Sequence, residues 1–215
     1  MVSFPAIDHA VLQAILDRRI EDGRIRRLIA TILHSGEGVL ADSYEMAYFP
    51  GDDLFAALRP RGLPIGNLTS QFWANCYMSG FDHFVNRTLG CTAYLRYVDD
   101  FALFADDKAT LWRWRDAIMG RLAGLRLTLH EAKAQVRPTG EGIRFLGFVL
   151  FPDHRRLLRR KGIHYRRRLR GLLQGYRGSP SRRAAIGASV QGWINHVRYA
   201  NTWGLRRALL KEVTL

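Results

Sequence analysis

The sequence predicts an α+β fold, with helices and short strands over residues 1–150 and a basic helical module over residues 151–215. Two observations predict the first part: apolar residues recur at helical spacing in several segments, and two short aromatic runs flank a pair of aspartates. A third, the concentration of arginine after residue 150, predicts the separate module. With 215 residues, 47% of them apolar, the chain can bury a sizeable core.

The first third of the chain predicts helices joined by one irregular segment. Asp8 precedes the helical pattern from Val11 to Ile20 and is predicted to be its N-cap. A second helix is predicted over 25–33 and a third over 70–89. Residues 36–58 are rich in Gly, Asp and aromatic side chains, which predicts a loop or a hairpin.

Predicted strands and one predicted helix follow over residues 94–150, and the rest of the chain is predicted to be helical. Apolar runs at 94–98 and 101–104 predict a strand–turn–strand unit, and a helix is predicted over 111–125. Three further segments, 126–129, 135–137 and 143–150, are predicted to be strands, and helices are predicted from Tyr165 onward with a break at Gly178, Ser179 and Pro180.

Charge is distributed unevenly along the chain, whose formal net charge is +14. Residues 1–150 hold 17 Lys and Arg against 17 Asp and Glu, whereas residues 151–215 hold 16 against two. This indicates a polyanionic partner, with nucleic acid ahead of acidic membrane, and the excess of Arg over Lys suits bidentate phosphate contacts. The candidates for contacts to a nucleic-acid backbone are Arg159, Arg160, Lys161, Arg166, Arg167, Arg168 and Arg170.

Several protein classes are disfavoured by composition. Cys76 and Cys91 are the only cysteines and form no CxxC pair, so neither a disulfide framework nor a zinc site is indicated. No apolar run approaches the roughly 18 residues needed to cross a membrane, and the N-terminus lacks signal-peptide features. The expected location is therefore the cytoplasm, without a membrane partner.

Asp99 and Asp100 lie between the two apolar runs, where a hairpin normally places Gly or Asn. Neighbouring side chains on a strand point to opposite faces, so the two carboxylates are expected to act differently. Hard cations such as Mg²⁺ prefer carboxylate oxygens and leave positions open for phosphates. The pair therefore predicts a metal site.

Two boxes carry a family resemblance. Residues 97–100, Tyr-Val-Asp-Asp, resemble the YxDD box of reverse transcriptases. Residues 61–71 resemble the loop and helix start that these enzymes place against template and incoming nucleotide. Most members read QGxxxSP there, whereas this chain has Ile65 and Gln71 in place of that Gln and Pro. The variant resembles diversity-generating retroelement enzymes most, within a group that includes retron and group II intron-like enzymes.

The resemblance implies a right-hand polymerase fold, with a palm of antiparallel sheet packed on helices over residues 1–150 and a helical thumb over residues 151–215. It implies RNA-directed DNA synthesis from deoxynucleoside triphosphates, with a DNA or RNA primer, an RNA template and a basic accessory protein as partners. Two Mg²⁺ ions, or Mn²⁺ in their place, would bind Asp99 and Asp100. The residues implied near nucleotide and template are Gly66, Ser70, Gln71, Tyr97 and Lys133, and those of the primer grip are Phe145, Leu146, Gly147 and Phe148.

Some of these assignments have plain structural alternatives. Lys133 is equally typical of a surface residue, and residues 145–148 of an ordinary buried strand pair. Trp193, His196 and Trp203 are predicted to lie in the core of the thumb rather than to stack on bases.

The family's first catalytic aspartate has no counterpart in the alignment. Residues 4–9 resemble the end of that box, and aligning Asp8 with its second aspartate places the catalytic one nine positions earlier, before Met1. We therefore expect the first palm strand and the fingers to be absent and polymerisation by this chain alone to be very weak. Three hypotheses remain: a fragment of an active polymerase, an inactive remnant, and a non-catalytic RNA-binding protein.

Overall fold

The computed structural model describes residues 4–38, 41–132, 134–176 and 179–211, without the side chain of Ser43. The chain divides into two compact units, Met1–Val136 and Arg137–Leu215. The boundary between these compact units lies before residue 137, whereas the sequence analysis placed its domain boundary after residue 150. The reason is strand pairing, since residues 148–150 pair with residues 155–157 in one sheet.

The described residues of the first unit form four α-helices and one hairpin, as the periodicity predicts. They are α1 (His9–Asp17), α2 (Gly23–Ser35), α3 (Leu68–His83), α4 (Lys108–Ala123), β1 (Tyr94–Tyr97) and β2 (Asp100–Leu103). Asp8 caps α1 by accepting a 3.0 Å hydrogen bond from the Val11 amide, which confirms the predicted N-cap. The described part of the 36–58 segment has short 3₁₀ turns at Ala41–Ser43 and Leu54–Leu58 and no strand, so the hairpin alternative is wrong.

Helix α3 runs through the core of the first unit. Tyr77, Met78 and Phe81 are almost fully buried, and the Tyr77 hydroxyl donates to the carbonyl of Leu125 at 2.6 Å. Burial raises the pKa of Tyr77 far above its ordinary value. The phenol therefore stays neutral and acts as a buried hydrogen-bond donor that ties α3 to the end of α4.

The strands predicted at 126–129 and 135–137 are wrong, because both ranges are described and neither forms a strand. After α4 the chain instead closes the helix end: the Leu127 amide donates to the Leu122 carbonyl at 2.9 Å, and Arg126 has a φ of +54°. This is a Schellman-type ending in which an arginine occupies the left-handed position that usually holds glycine. The apolar spacing of 125–129 reflects packing of that turn rather than a ladder.

The second unit combines a three-stranded sheet with three helices. Its elements are β3 (Ile143–Phe145), β4 (Phe148–Leu150), β5 (Arg155–Leu157), α5 (Arg159–Gln174), α6 (Pro180–Val197) and α7 (Trp203–Leu210). The predicted strand at 143–150 is thus a hairpin, and β5 is an additional strand. Helix α5 begins before Tyr165, and α6 begins at Pro180, at the predicted break.

The core of the second unit is built around two aromatic rings. Tyr165 and Trp193 stack with centroids 4.5 Å apart and an interplanar angle of 3°. Trp193 is 8% exposed, which confirms its predicted core position. Trp203 is 63% exposed and His196 is also exposed, so the core prediction is wrong for both. No helix of the described residues is both long and apolar enough to cross a bilayer.

Candidate active site

The two aspartates occupy the tip of the β1–β2 hairpin. Tyr94 pairs with Leu103 and Tyr97 with Asp100, which leaves Val98 and Asp99 as a two-residue turn. Asp99 is half-buried in the turn, whereas Asp100 is exposed as the first residue of β2. The predicted strand–turn–strand is confirmed, and the two carboxylates have the different surroundings that strand geometry requires.

The first residue of this turn has an unusual backbone conformation. Val98 has a φ of +56°, and Asp99 does not share the positive sign, a combination found in type II′ turns. Glycine normally occupies that position, and a β-branched side chain there costs about 1–3 kcal/mol. Strained backbone positions of this kind cluster at functional sites, where the surrounding structure holds them in place.

Val98→Gly is expected to raise the free energy of unfolding by about 1 kcal/mol, because relief of the strain exceeds the added backbone entropy of glycine. Urea denaturation of the purified variant measures the change. Leu95→Gly, on the same hairpin with an ordinary φ, serves as the control and should lower stability by about 0.5–1 kcal/mol. Equal destabilisation by both variants would show that the positive φ of Val98 does not lower the stability of the folded chain.

Arg96 connects the hairpin to helix α3. Its guanidinium donates to both carboxylate oxygens of Asp82, each at 2.7 Å, and to the carbonyl of Val98 at 2.8 Å. The Tyr94 hydroxyl donates to the same carboxylate at 2.7 Å. The hydrogen bond to Asp82 raises the pKa of Arg96 further. This bidentate ion pair, in which the Arg96 side chain is 13% exposed and that of Asp82 28%, fixes the strained turn against the helix.

A cavity of about 210 Å³ opens beside the hairpin tip. It is bordered by the N-terminal segment, one face of α3 and the turn, and its lining residues are Phe4, Ile7, Gln71, Ala74, Asn75, Met78, Arg96, Tyr97 and Val98. Gln71 and Tyr97, which the sequence assigned to nucleotide and template, therefore line one space although they are far apart in the chain. Both are exposed.

Gly66 and Ser70 flank the start of α3 without lining this cavity. Gly66 is exposed and has a φ of +100°, which permits the sharp entry into the helix. Ser70 is 1% exposed, and its hydroxyl has no hydrogen-bond partner among the described residues. Lys133 lies outside the described residues.

The N-terminal segment holds the loop that precedes α3. The Gly62 amide donates to the Ile7 carbonyl at 2.8 Å, the Leu63 amide donates to the Phe4 carbonyl at 3.0 Å, and His9 Nε2 lies 2.6 Å from the Gly62 carbonyl oxygen. The segment that resembles the end of the family's first box thus supports the loop of the second box. Asp8 caps α1 and pairs with arginine, so its carboxylate is committed to structure.

A family model described as "Reverse transcriptase (RNA-dependent DNA polymerase)" matches residues 5–150, more than half of the chain. The chain belongs to the reverse transcriptase family. A search of curated proteins finds no significant match. The matched range includes every residue that lines the cavity except Phe4, the hairpin with both aspartates and the β3–β4 hairpin of the second unit.

In this reverse transcriptase chain the 145–148 segment forms the tip of the β3–β4 hairpin. Phe145 pairs with Phe148, and the two intervening residues, Leu146 and Gly147, have φ values of +48° and +88°. Positive φ at both positions is typical of type I′ turns, which favour Asn-Gly. Leucine is therefore strained there, and 42% of it is exposed at the tip.

Helix α5 of the reverse transcriptase chain separates apolar and basic side chains. Gly162, Tyr165 and Leu169 form its buried stripe. All seven cationic residues that the sequence assigned to backbone contacts are exposed on it, namely Arg159, Arg160, Lys161, Arg166, Arg167, Arg168 and Arg170. Three pairs among them are spaced seven residues apart, or about 10.5 Å along the helix axis. No Asp or Glu occurs between residues 154 and 211.

The carboxylates present fit part of a magnesium site. Asp99 and Asp100 supply the oxygen ligands that Mg²⁺ prefers. Among the residues that the structure describes, however, no three His, Cys, Asp or Glu side chains come together as a metal-binding group. In a two-ion site the pair would supply some of the ligands, and the others would come from further groups.

Sequence reasoning did not find the Arg96–Asp82 pair. Asp82 lies on the last turn of α3 and Arg96 on β1, and nothing in their spacing indicates that they meet. The available signal was indirect: an arginine alternates with apolar residues on a short, half-buried strand, which requires a partner for its charge.

Proposed function

We propose that this chain acts as an RNA-directed DNA polymerase that adds deoxynucleotides to a primer by two-metal phosphoryl transfer. The observation that supports it most is the hairpin with Asp99 and Asp100 at its tip, beside a cavity lined by Gln71 and Tyr97, within the region matched by the family. Bound Mg²⁺ ions would activate the primer hydroxyl and neutralise the leaving pyrophosphate. The two aspartates would hold the ions through their carboxylates.

The other site residues would position the substrates. Tyr97 and Gln71 present exposed side chains into the cavity, where base and sugar of nucleotide and template would lie. Gly66 allows close backbone approach at the start of α3, whose N-terminus favours anions. Ser70 and Lys133 complete this proposed nucleotide and template set, and residues 145–148 form the proposed primer grip.

We also propose that the 215-residue chain by itself polymerises poorly. Two-metal transfer needs carboxylates from more than one strand, and Asp99 and Asp100 come from a single hairpin. If the missing ligand costs about 3 kcal/mol of transition-state stabilisation, the rate falls by roughly a hundredfold. The palm and thumb assignments, to residues 1–150 and 151–215, belong to the same proposal.

Ile65 and Gln71 support a diversity-generating retroelement as the origin, with adenine-directed errors and a basic accessory protein as further expectations. The position of Gln71 supports a role in fidelity, because this side chain borders the cavity where template and nucleotide would meet. In an active form, Gln71→Pro should lower misincorporation opposite template adenine. Unchanged misincorporation would exclude this role for Gln71.

A second candidate function is RNA binding without catalysis. The second unit has its own buried core, and the seven cations of α5 face solvent with no acidic residue between 154 and 211. Such a surface can bind phosphates independently of the aspartate hairpin, and its affinity would fall steeply with salt.

Primer extension on an RNA template with Mg²⁺ separates these functions. It should compare the 215-residue chain with a form preceded by the family's first-box strand, spaced so that its aspartate lies nine positions before Asp8. We expect extension at least about a hundredfold faster in the second form. Tight, salt-sensitive RNA binding with no extension by either form would support the non-catalytic function instead. Equal extension by both forms would show that the described carboxylates suffice.

A further inference from the structure

The turn between α6 and α7 displays two aromatic rings, each beside an arginine. Tyr199 is 56% exposed and Trp203 is 63% exposed. The guanidinium carbon of Arg198 lies 5.1 Å from the centroid of the Tyr199 ring, and that of Arg207 lies 5.3 Å from the Trp203 ring. Rings this exposed contribute little to the core of the unit, so packing does not explain them.

The turn itself is held without help from the rings. The buried Thr202 hydroxyl donates to the Val197 carbonyl at 2.7 Å, and the Asn201 amide donates to the Arg155 carbonyl of β5 at 2.8 Å. The Ala200 amide also donates to Val197, at 3.1 Å. These hydrogen bonds order the backbone that carries the rings. Binding a ligand therefore costs less conformational entropy of the protein.

Charge around this turn has one sign. The bond from Asn201 brings it to β5, where Arg155 is exposed. Together with the two arginines beside the rings, three arginines belong to this corner, and the sequence from 154 to 211 contains no Asp or Glu. A basic protein would be repelled here, whereas a polyanion with flat apolar groups matches both features.

We propose that this corner, comprising Arg155, Arg198, Tyr199, Trp203 and Arg207, is a binding site for unpaired nucleotides of single-stranded nucleic acid. Bases stack on Trp203 and Tyr199 or on the guanidinium planes beside them, and the arginines contact phosphates. Three residues lie between Tyr199 and Trp203, so their Cα atoms are at most about 14 Å apart, within reach of two or three nucleotides. Stacking on ring faces makes the site tolerant of sequence.

This site differs in ligand from the basic face of α5. Exposed arginines alone bind the phosphates of single strands and duplexes alike, but a paired base cannot offer its face to a protein ring without leaving the stack. Selective loss of single-strand affinity on removing a ring is therefore the property to measure. The measurement needs no polymerisation, so its outcome is independent of the proposed catalytic function.

The test is fluorescence anisotropy of the full 215-residue chain with a labelled oligouridylate of about 12 nucleotides and with a duplex of the same length, at fixed salt. Trp203→Leu keeps apolar bulk but removes the aromatic face. We expect it to weaken oligouridylate binding about 5- to 150-fold and to change duplex binding less than about twofold. Trp203→Phe should retain most of the single-strand affinity.

Two matched variants complete the design. Trp112→Leu removes another exposed tryptophan with an arginine beside it, Arg115 at 5.2 Å, but from the first unit, and should leave binding unchanged. Tyr199→Phe keeps the ring but removes the hydroxyl that accepts from Arg198 at 3.1 Å, and it should retain most of the single-strand affinity. Far-UV circular dichroism and thermal unfolding establish that each variant is folded.

Three results would overturn the proposal. One is unchanged oligouridylate affinity in folded Trp203→Leu. Another is an equal loss of single-strand and duplex affinity, which would assign the tryptophan to the general phosphate surface. The third is loss of self-association in Trp203→Leu with unchanged nucleic-acid binding, which would identify the corner as a protein interface.

Discussion

Asp99→Asn is expected to lower magnesium-dependent primer extension at least about a hundredfold, in whichever form of the chain shows extension. Asparagine preserves the size of the side chain but removes the negative charge that would hold a divalent cation. Because Asp99 is half-buried in the turn while Asp100 is exposed on β2, the two substitutions should differ, with the larger loss at Asp99. The folded structure should be retained.

The measurement is the initial rate of extension on an RNA template across a range of Mg²⁺ concentrations. Asp106→Asn is the matched control, since this exposed carboxylate lies just beyond β2. It should change the rate by less than about twofold. If Asp99→Asn extends primers as fast as the unaltered chain, the hairpin does not hold the catalytic ions, and the proposed mechanism is wrong.

The helices and the aspartate hairpin could be predicted because their signals are local. Apolar spacing locates α1 to α4, and the short apolar, aromatic runs on either side of the aspartates are typical of strands. Strand β5 is different: it is three residues long and contains two exposed arginines, so no apolar pattern distinguishes it from a loop. Its identity depends on pairing with β4, and the boundary between the units depends on the same pairing.

The candidate site shows a similar limit. Sequence motifs identified Asp99, Asp100, Gln71 and Tyr97 individually. That the last two line one cavity depends on the packing of the hairpin against α3, which Arg96 fixes through Asp82. The strained φ of Val98 also follows from turn length and register rather than from residue preference.

Asp8 is the centre of a buried ion network in the first unit. Its carboxylate, 3% exposed, accepts hydrogen bonds from Arg59 Nε at 2.7 Å and Nη2 at 3.0 Å, and Arg126 Nε lies 3.2 Å away. Arg126 in turn binds both oxygens of Asp52, at 2.6 and 2.8 Å. This contact rationalises why arginine occupies a left-handed position after α4 where glycine would be unstrained.

Asp8→Asn should lower the free energy of unfolding of the first unit by about 3 kcal/mol at neutral pH. The amide can still cap α1, but it leaves the two arginines without their shared buried carboxylate. Hydrogen exchange of the α1 and α3 amides measures the change within this unit. Asp42→Asn, at an exposed carboxylate, is the control and should have an effect below about 0.5 kcal/mol.

The difference between the unaltered chain and Asp8→Asn should depend on pH. Burial disfavours the charged carboxylate, but the bonds from Arg59 and the Val11 amide outweigh it and hold the pKa of Asp8 below its ordinary value. A carboxyl with a lowered pKa contributes stability that is fully present above its unfolded pKa, about 3.9, and is lost as the pH falls through the folded value. The difference should therefore stay constant from pH 7 to about pH 5 and shrink below about pH 4. A difference that persists undiminished in strong acid would mean that packing and capping, not the charge of Asp8, stabilise this network.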